Sequence, residues 1–176
     1  MKDRKIVDPD LETNGAIIRA LVEEMKGIGT RVLERHGITE LSDSKWYPMQ
    51  AVLDSVAEVA EYSGQATLNA IGRRVIEVVK FPDHVKSLDS ALASLDSMSR
   101  QVHRGSGVGY WSYESTGAQS RRLACSSPFP CDLTLGVVQA LAEAHAPGGV
   151  KPVVTHETDP PCRDMGGRSC FYRVEW

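Results

Sequence analysis

The chain changes its hydrophobic period once, near residue 105, and that change limits the folds open to it. Before it, apolar residues recur every three or four positions; after it, they alternate or gather in short β-favouring runs. A first helix begins near Thr13, with Ile18, Leu21, Val22, Met25, Ile28, Val32 and Leu33 as its stripe and Gly37 as its cap. A second begins near Asp43-Ser44, with Pro48 in its first turn and Met49, Val52, Leu53, Val56 and Val59 on one face. Gly64 separates it from a third, striped by Leu68, Ile71, Val75, Val78 and Val79, which must stop before Phe81-Pro82. A fourth starts at Ser87, turns Leu88, Ala91, Leu92, Leu95, Met98 and Val102 inward, and ends at Gly105.

Residues 108–115 carry Tyr110, Trp111 and Tyr113, and Thr116-Gly117 offers a hairpin turn into a second strand over 119–125. Asp132 can cap a fifth helix bearing Leu135, Val138, Leu141 and Ala142, closed by Pro147-Gly148-Gly149. Residues 151–157 and 169–176 have strand character, the latter with Cys170, Tyr172, Val174 and Trp176 on one face. The link between them holds no helix, so the strands are predicted to run antiparallel. The predicted class is α+β: N-terminal amphipathic helices packed on a small antiparallel sheet with one inserted helix. Residues 1–12 read as a flexible arm. Residues 13–176 read as a single ligand-binding domain, helical over 13–105 and carrying the sheet and the cysteines over 106–176.

Composition narrows the partners. With 176 residues, 41% hydrophobic and 24% charged, the chain can bury a core. A net charge of −3 gives no basic excess for direct nucleic-acid binding. No apolar run approaches the roughly 18 residues that span a bilayer, and the polar start lacks a secretion signal, so a cytoplasmic location is expected. The first helix, apolar over nearly half its circumference, is the expected homodimer surface.

The last third holds the chemistry-bearing pattern. Cys162 and Cys170 flank a loop containing Gly166 and Gly167, entered from Pro160-Pro161, which can aim both sulfurs inward. Cys131 sits at a helix N-terminus, where free N–H groups and the helix dipole favour a thiolate. Glu157 or Asp159 could complete a tetrahedral sulfur and oxygen site of the kind zinc accepts, with Cys125 as a competitor. Two other uses fit the same spacing. Free cysteines are common core residues, and Cys125 and Cys131 could pair on oxidation.

The segment from Cys131 to Cys170 resembles 4-vinyl-reductase-like (V4R-type) domains, including the sensor domains of phenol- and toluene-responsive activators. These belong to the nitric-oxide-signalling and TRAPP ligand-binding superfamily. The resemblance rests on Pro130-Cys131 with Gly136 five on, then an acidic residue, Cys162, Gly166 and Cys170. It implies Cys131, Cys162 and Cys170 as ligands of a structural zinc ion, with Asp159 in the family's acidic position and Glu157 better placed at the strand end. It also implies a small aromatic or apolar ligand read by a histidine and a tryptophan, for which His84 and Trp111 stand in order, with Tyr110 beside them.

No Walker loop, nucleophile elbow, HExxH or dinucleotide fingerprint occurs, so a non-enzymatic ligand sensor is expected, acting through an output partner protein. A thiol redox switch on the same cysteines, a protein-interaction adaptor and a tetrapyrrole-biosynthesis accessory role are the other readings. So is a haem-binding gas sensor, with His103, His145 or His156 as iron ligand. The related haem sensors carry a Tyr-x-Ser-x-Arg pattern; here Tyr110-Trp111-Ser112-Tyr113-Glu114 ends in an acid.

Overall fold

A computed structural model describes residues 8–25 and 27–176. Helices and strands segregate along the chain: β1 (Glu12–Asn14), α1 (Gly15–Glu24), α2 (Gly29–Arg35), β2 (Trp46–Pro48), α3 (Met49–Ser63), α4 (Gln65–Val78) and α5 (Leu88–Val102) come first. They are followed by β3 (His103–Arg104), β4 (Trp111–Gly117), β5 (Ser120–Cys125), α6 (Cys131–His145), β6 (Val153–Glu157), a 3-10 turn (Arg163–Met165) and β7 (Cys170–Glu175). The class is α+β, with every strand pairing antiparallel.

Two sheets organise the chain. The larger has the order β4-β5-β7-β6, and α5 and α6 pack on its inner face. Alternation on β7 buries Cys170, Tyr172 and Val174 and turns Phe171, Arg173 and Glu175 outward. The smaller sheet, β2-β1-β3, was not legible in the sequence because its strands are two or three residues long.

Local differences from the sequence reading have physical causes. The first predicted helix is two, α1 and α2. Gly27 takes a left-handed φ of 87°, and Gly29 packs so closely that a Cβ there would lie 2.8 Å from the Val22 Cα. The apolar face of α1, offered as a dimer surface, is spent inside the chain, with Ile17, Ile18 and Leu21 buried and the helix packed on α4. The hairpin turns at Ala118-Gln119, two residues beyond the predicted Thr116-Gly117, because an irregularity between Ser115 and Gly117 extends β4. Residues 8–12, read as part of the arm, are held: Leu11 is buried and the Asp8 carboxylate accepts from the Gly107 N–H at 3.0 Å. Residues 1–7 of that arm lie outside the described residues.

The tightest helix–helix junction among the described residues is the crossing of α4 and α6. A Cβ on Gly72 would lie 1.9 Å from the Leu133 carbonyl oxygen, and one on Gly136 would lie 2.1 Å from the Asn69 carbonyl oxygen. Each helix therefore uses the other's backbone as its packing surface. Asn69 adds a 3.0 Å hydrogen bond from its Nδ2 to Gln139 Oε1 across the seam.

Gly72→Ala or Gly136→Ala is expected to destabilise the chain by about 1–3 kcal/mol, since the clash is with backbone and forces the helices apart. Gly148→Ala, where the added Cβ meets nothing within 4 Å, should stay within about 0.5 kcal/mol. Urea denaturation midpoints measure both.

Candidate functional site: an apolar cavity and a buried thiol cluster

Two hydrophobic cores meet at the α4–α6 crossing. One is built from α1 to α4 with Phe129 and Leu133; the other lies between α5, α6 and the larger sheet. Between them lies a cavity of about 90 Å³ walled by residues from both. Ile17, Leu21, Val52, Val56, Ile71 and Val75 close it on one side; Leu95, Met98, Val102, Trp111 and Val137 close it on the other. Among the described residues, no lysine or arginine lines it.

Among the described residues, His103 is the one imidazole on the cavity wall. It caps the C-terminal end of α5, its N–H bonding to the Ser99 carbonyl, and its backbone pairs with Thr13 in the smaller sheet. Its ring lies 5.5 Å from that of Phe129. Its Nδ1 is buried and has no hydrogen-bond partner among the described residues. Burial pulls its pKa down from 6.5 to about 4, so the ring is neutral at pH 7.

The second feature lies at the N-terminal end of α6. Cys131 Sγ is 3.1 Å from Cys170 Sγ and 3.8 Å from Cys162 Sγ, and all three side chains are buried. Two side chains hold the first residue of α6 in place: the Asp164 carboxylate accepts from the Cys131 N–H at 3.2 Å, and the Tyr172 hydroxyl donates to the Cys131 carbonyl at 3.2 Å. The Cys131 thiol directed at it, helped by the Arg163 backbone N–H, holds the Cys170 pKa below the usual thiol range; the same contact and burial push Cys131 up.

His156 joins this cluster. It faces inward from β6 directly across from Tyr172, with the rings stacked at 5.0 Å, and its buried Nε2 has no partner among the described residues. One donor atom each from Cys131, His156 and Cys170 lies within 4.8 Å of the other two, an arrangement able to hold a metal ion. The sequence reading offered His156 only as an iron ligand. Strand register was the missing signal: His156 opposite Tyr172 shares its face with Cys170.

The other nominated residues are placed elsewhere. Glu157 turns to the opposite face of the sheet, where its carboxylate accepts from Arg122 Nε at 2.8 Å and Arg173 Nη2 at 2.7 Å. Asp159 is exposed. Cys125 faces inward across from Cys170, and its sulfur accepts from the Ser127 N–H at 3.3 Å. Trp111 lines the cavity, whereas His84 is exposed and Tyr110 points to Ser169, hydroxyl to hydroxyl at 2.8 Å. His145 packs edge-on against Phe81 at 4.9 Å and does not line the cavity. No helix among the described residues is long and apolar enough to cross a membrane.

No family model matches the sequence, and no curated protein does. Solved structures do match the fold. An H-NOX protein from S. oneidensis in the Fe(II)NO ligation state aligns with a TM-score of 0.70 at 18% identity, over 91% of this chain and 97% of that one. An unliganded Fe(II) H-NOX protein from K. algicida aligns with a TM-score of 0.69 at 13% identity, over 92% and 95%. An oxygen-binding H-NOX domain related to soluble guanylate cyclases aligns with a TM-score of 0.67 at 16% identity, over 92% and 91%. At these identities the likeness is one of fold. It corrects the resemblance drawn from the cysteine spacing: the structural neighbours are H-NOX domains, not V4R-type domains. The expectation of zinc as the chain's cofactor, drawn from the cysteine spacing and strengthened by that resemblance, is not supported, because the neighbours belong to a haem family.

The His103 environment sets a pH dependence. The unfolded chain takes up a proton on this ring near pH 6.5 and the folded chain only near 4, so stability falls as pH drops through that window. The loss amounts to roughly 3 kcal/mol at its acid end. His103→Leu should remove this component from a plot of denaturation midpoint against pH; an unchanged acid slope would contradict the buried neutral imidazole.

Proposed function

We propose that this chain is a non-enzymatic sensory domain that takes a small gaseous or apolar ligand into the cavity between its two cores. His103 is the residue that reads the ligand, and haem is the cofactor. The observation that carries this reading is the buried, partnerless Nδ1 of His103 on an apolar wall. Neutral histidine nitrogen is the donor that haem iron takes as an axial ligand, and a buried nitrogen left without a partner is costly unless something meets it. The fold shared with H-NOX structures supports it.

Haem, when bound, supplies an iron that accepts a diatomic ligand. The chain's own residues supply the rest. Leu95, Met98, Val102 and Phe129 exclude water, and Trp111 is tied to α5 by its backbone N–H, which donates to the Asp96 carboxylate at 2.9 Å. The α5 C-terminus fixes the imbalance of polarity in the cavity by placing one imidazole among aliphatic groups.

A cofactor-free version of the same sensor is favoured by a separate observation. The cavity of about 90 Å³ is well below the roughly 300–1,000 Å³ of typical cofactor and drug-sized sites, and among the described residues no lysine or arginine lines it to pair with propionates. A small neutral molecule with one hydrogen-bonding group would fit it directly.

Titration with hemin under reducing conditions separates the two. The haem reading requires a Soret band that saturates at one equivalent per chain and is lost in His103→Leu. Absence of a saturable band overturns it. Quenching of Trp111 fluorescence by small apolar molecules, lost in Trp111→Leu, would then support direct binding.

A further inference from the structure

The cavity wall is thick on one side and thin on another. Ile17, Leu21, Val52 and Val56, from α1 and α3, line it and are buried. Ile76, Val79 and Phe81, at and beyond the end of α4, line it and are only half-buried. There a single layer of side chains separates the cavity from solvent. We propose that the Phe81 ring is the gate of the cavity, and that His145, which does not line the cavity, is the positioning residue that holds it shut.

The local backbone singles out Phe81. α4 and α5 each pack on α6, and residues 79–87 connect them. Helix α4 ends because Val79 turns extended, with φ −79° and ψ 127°, and Pro82 keeps Phe81 out of a helical conformation. The connection is pinned on both sides of that residue. The Val79 N–H donates to the Val75 carbonyl at 3.1 Å, and Val85 is buried with its N–H on the Pro82 carbonyl at 2.9 Å. Other half-buried wall residues are held by their elements: Val75 by α4, Val102 by α5 and Trp111 by β4. Ser127 lies in a loop, but its N–H, hydroxyl and carbonyl are engaged by Cys125, Phe129 and Arg163. Phe81 is instead held through its ring, which meets the His145 ring at 4.9 Å with the planes 65° apart.

His145 is the last residue of α6, so the brace stands on the helix that also walls the cavity. Burial lowers its pKa, and the neutral ring packs as an aromatic group. Rotation of Phe81 away from His145 opens a path between aliphatic side chains. Motions of this kind in a loop run from nanoseconds to microseconds. The path admits small neutral molecules, because a charged solute would shed its hydration against Ile76, Val79 and Phe81.

That a natural ligand uses this route rests on the cavity being the ligand site; the gate itself does not. Xenon is the probe, since dry apolar cavities take it up without any cofactor. Saturation-transfer NMR of xenon-129 on the full chain gives its entry rate, exit rate and affinity, and the Met98 methyl resonance reports its location. The expected result is one saturable site that shifts Met98. Phe81→Ala and His145→Ala should each raise entry and exit together by about tenfold, with the affinity within about twofold. His145→Ala is the sharper variant, because it leaves the cavity wall intact. Its α6 amide exchange should match that of the unsubstituted chain. Unchanged rates in His145→Ala, faster rates that appear only with faster α6 exchange, or no saturable xenon site overturns the proposal. A change of affinity at unchanged rates would make Phe81 an ordinary wall residue and also overturns it. Should Phe81→Ala fail to fold, His145→Ala and Phe81→Leu carry the test. Gated xenon exchange with no Soret band on hemin titration would sink the haem reading while the gate stands.

Discussion

The backbone contact between α4 and α6 is the constraint on which the rest of the structure depends. Gly72 against the Leu133 carbonyl and Gly136 against the Asn69 carbonyl let two helices approach more closely than any side chain would allow. α4 belongs to the helical half and α6 sits on the sheet, so this approach docks one half on the other. A wider crossing would separate the two cores. The gap between them is then sealed by the aliphatic wall of the cavity, whose members come from both.

α6 therefore serves three environments along 15 residues. Its first residue is in the thiol cluster, its next turns face the cavity, and Gly136 lies on α4. A rigid element that touches two sites is a physical route by which one can bias the other, provided the element has two arrangements. The hydrogen bonds of Asp164 and Tyr172 to the ends of the Cys131 peptide unit define one arrangement. They also explain why the residue 162–170 loop and β7 matter to a helix distant in sequence: each contributes a sulfur and a clamp.

Much of this was legible in the sequence, and what was not has a common cause. The helical stripes of α3, α4 and α5 and the alternation on β7 followed from local periodicity, because each element buries one face. Ser87 announced the start of α5, where it accepts from the Ser90 N–H and forms a capping box. The break between α1 and α2 was hidden, since the apolar stripe runs through it and the turn comes from the left-handed Gly27 and the packing of Gly29 on Val22. Convergence of the three cysteines was readable as spacing. His156 joins them through strand register and Glu157 leaves them for Arg122 and Arg173, and both outcomes depend on which residue lies opposite which. The cavity itself has no sequence signature, because its walls are ordinary core residues that fail to fill the space between two cores.

Two buried histidine nitrogens without hydrogen-bond partners among the described residues mark where this packing departs from what stability alone would select. A core built only to be stable would place leucine or phenylalanine at these positions, because burying an unmet nitrogen costs free energy that no apolar group incurs. His103 stands where α5 gives way to β3, in contact with Phe129 and open to the cavity; His156 stands over Tyr172 beside the thiols. Both sit on backbone fixed by sheet pairing. Rigid backbone, apolar surroundings and one unmet donor or acceptor are the conditions under which an imidazole binds something else strongly. The fold is shared with H-NOX structures; what the chain binds is decided by these few groups within it.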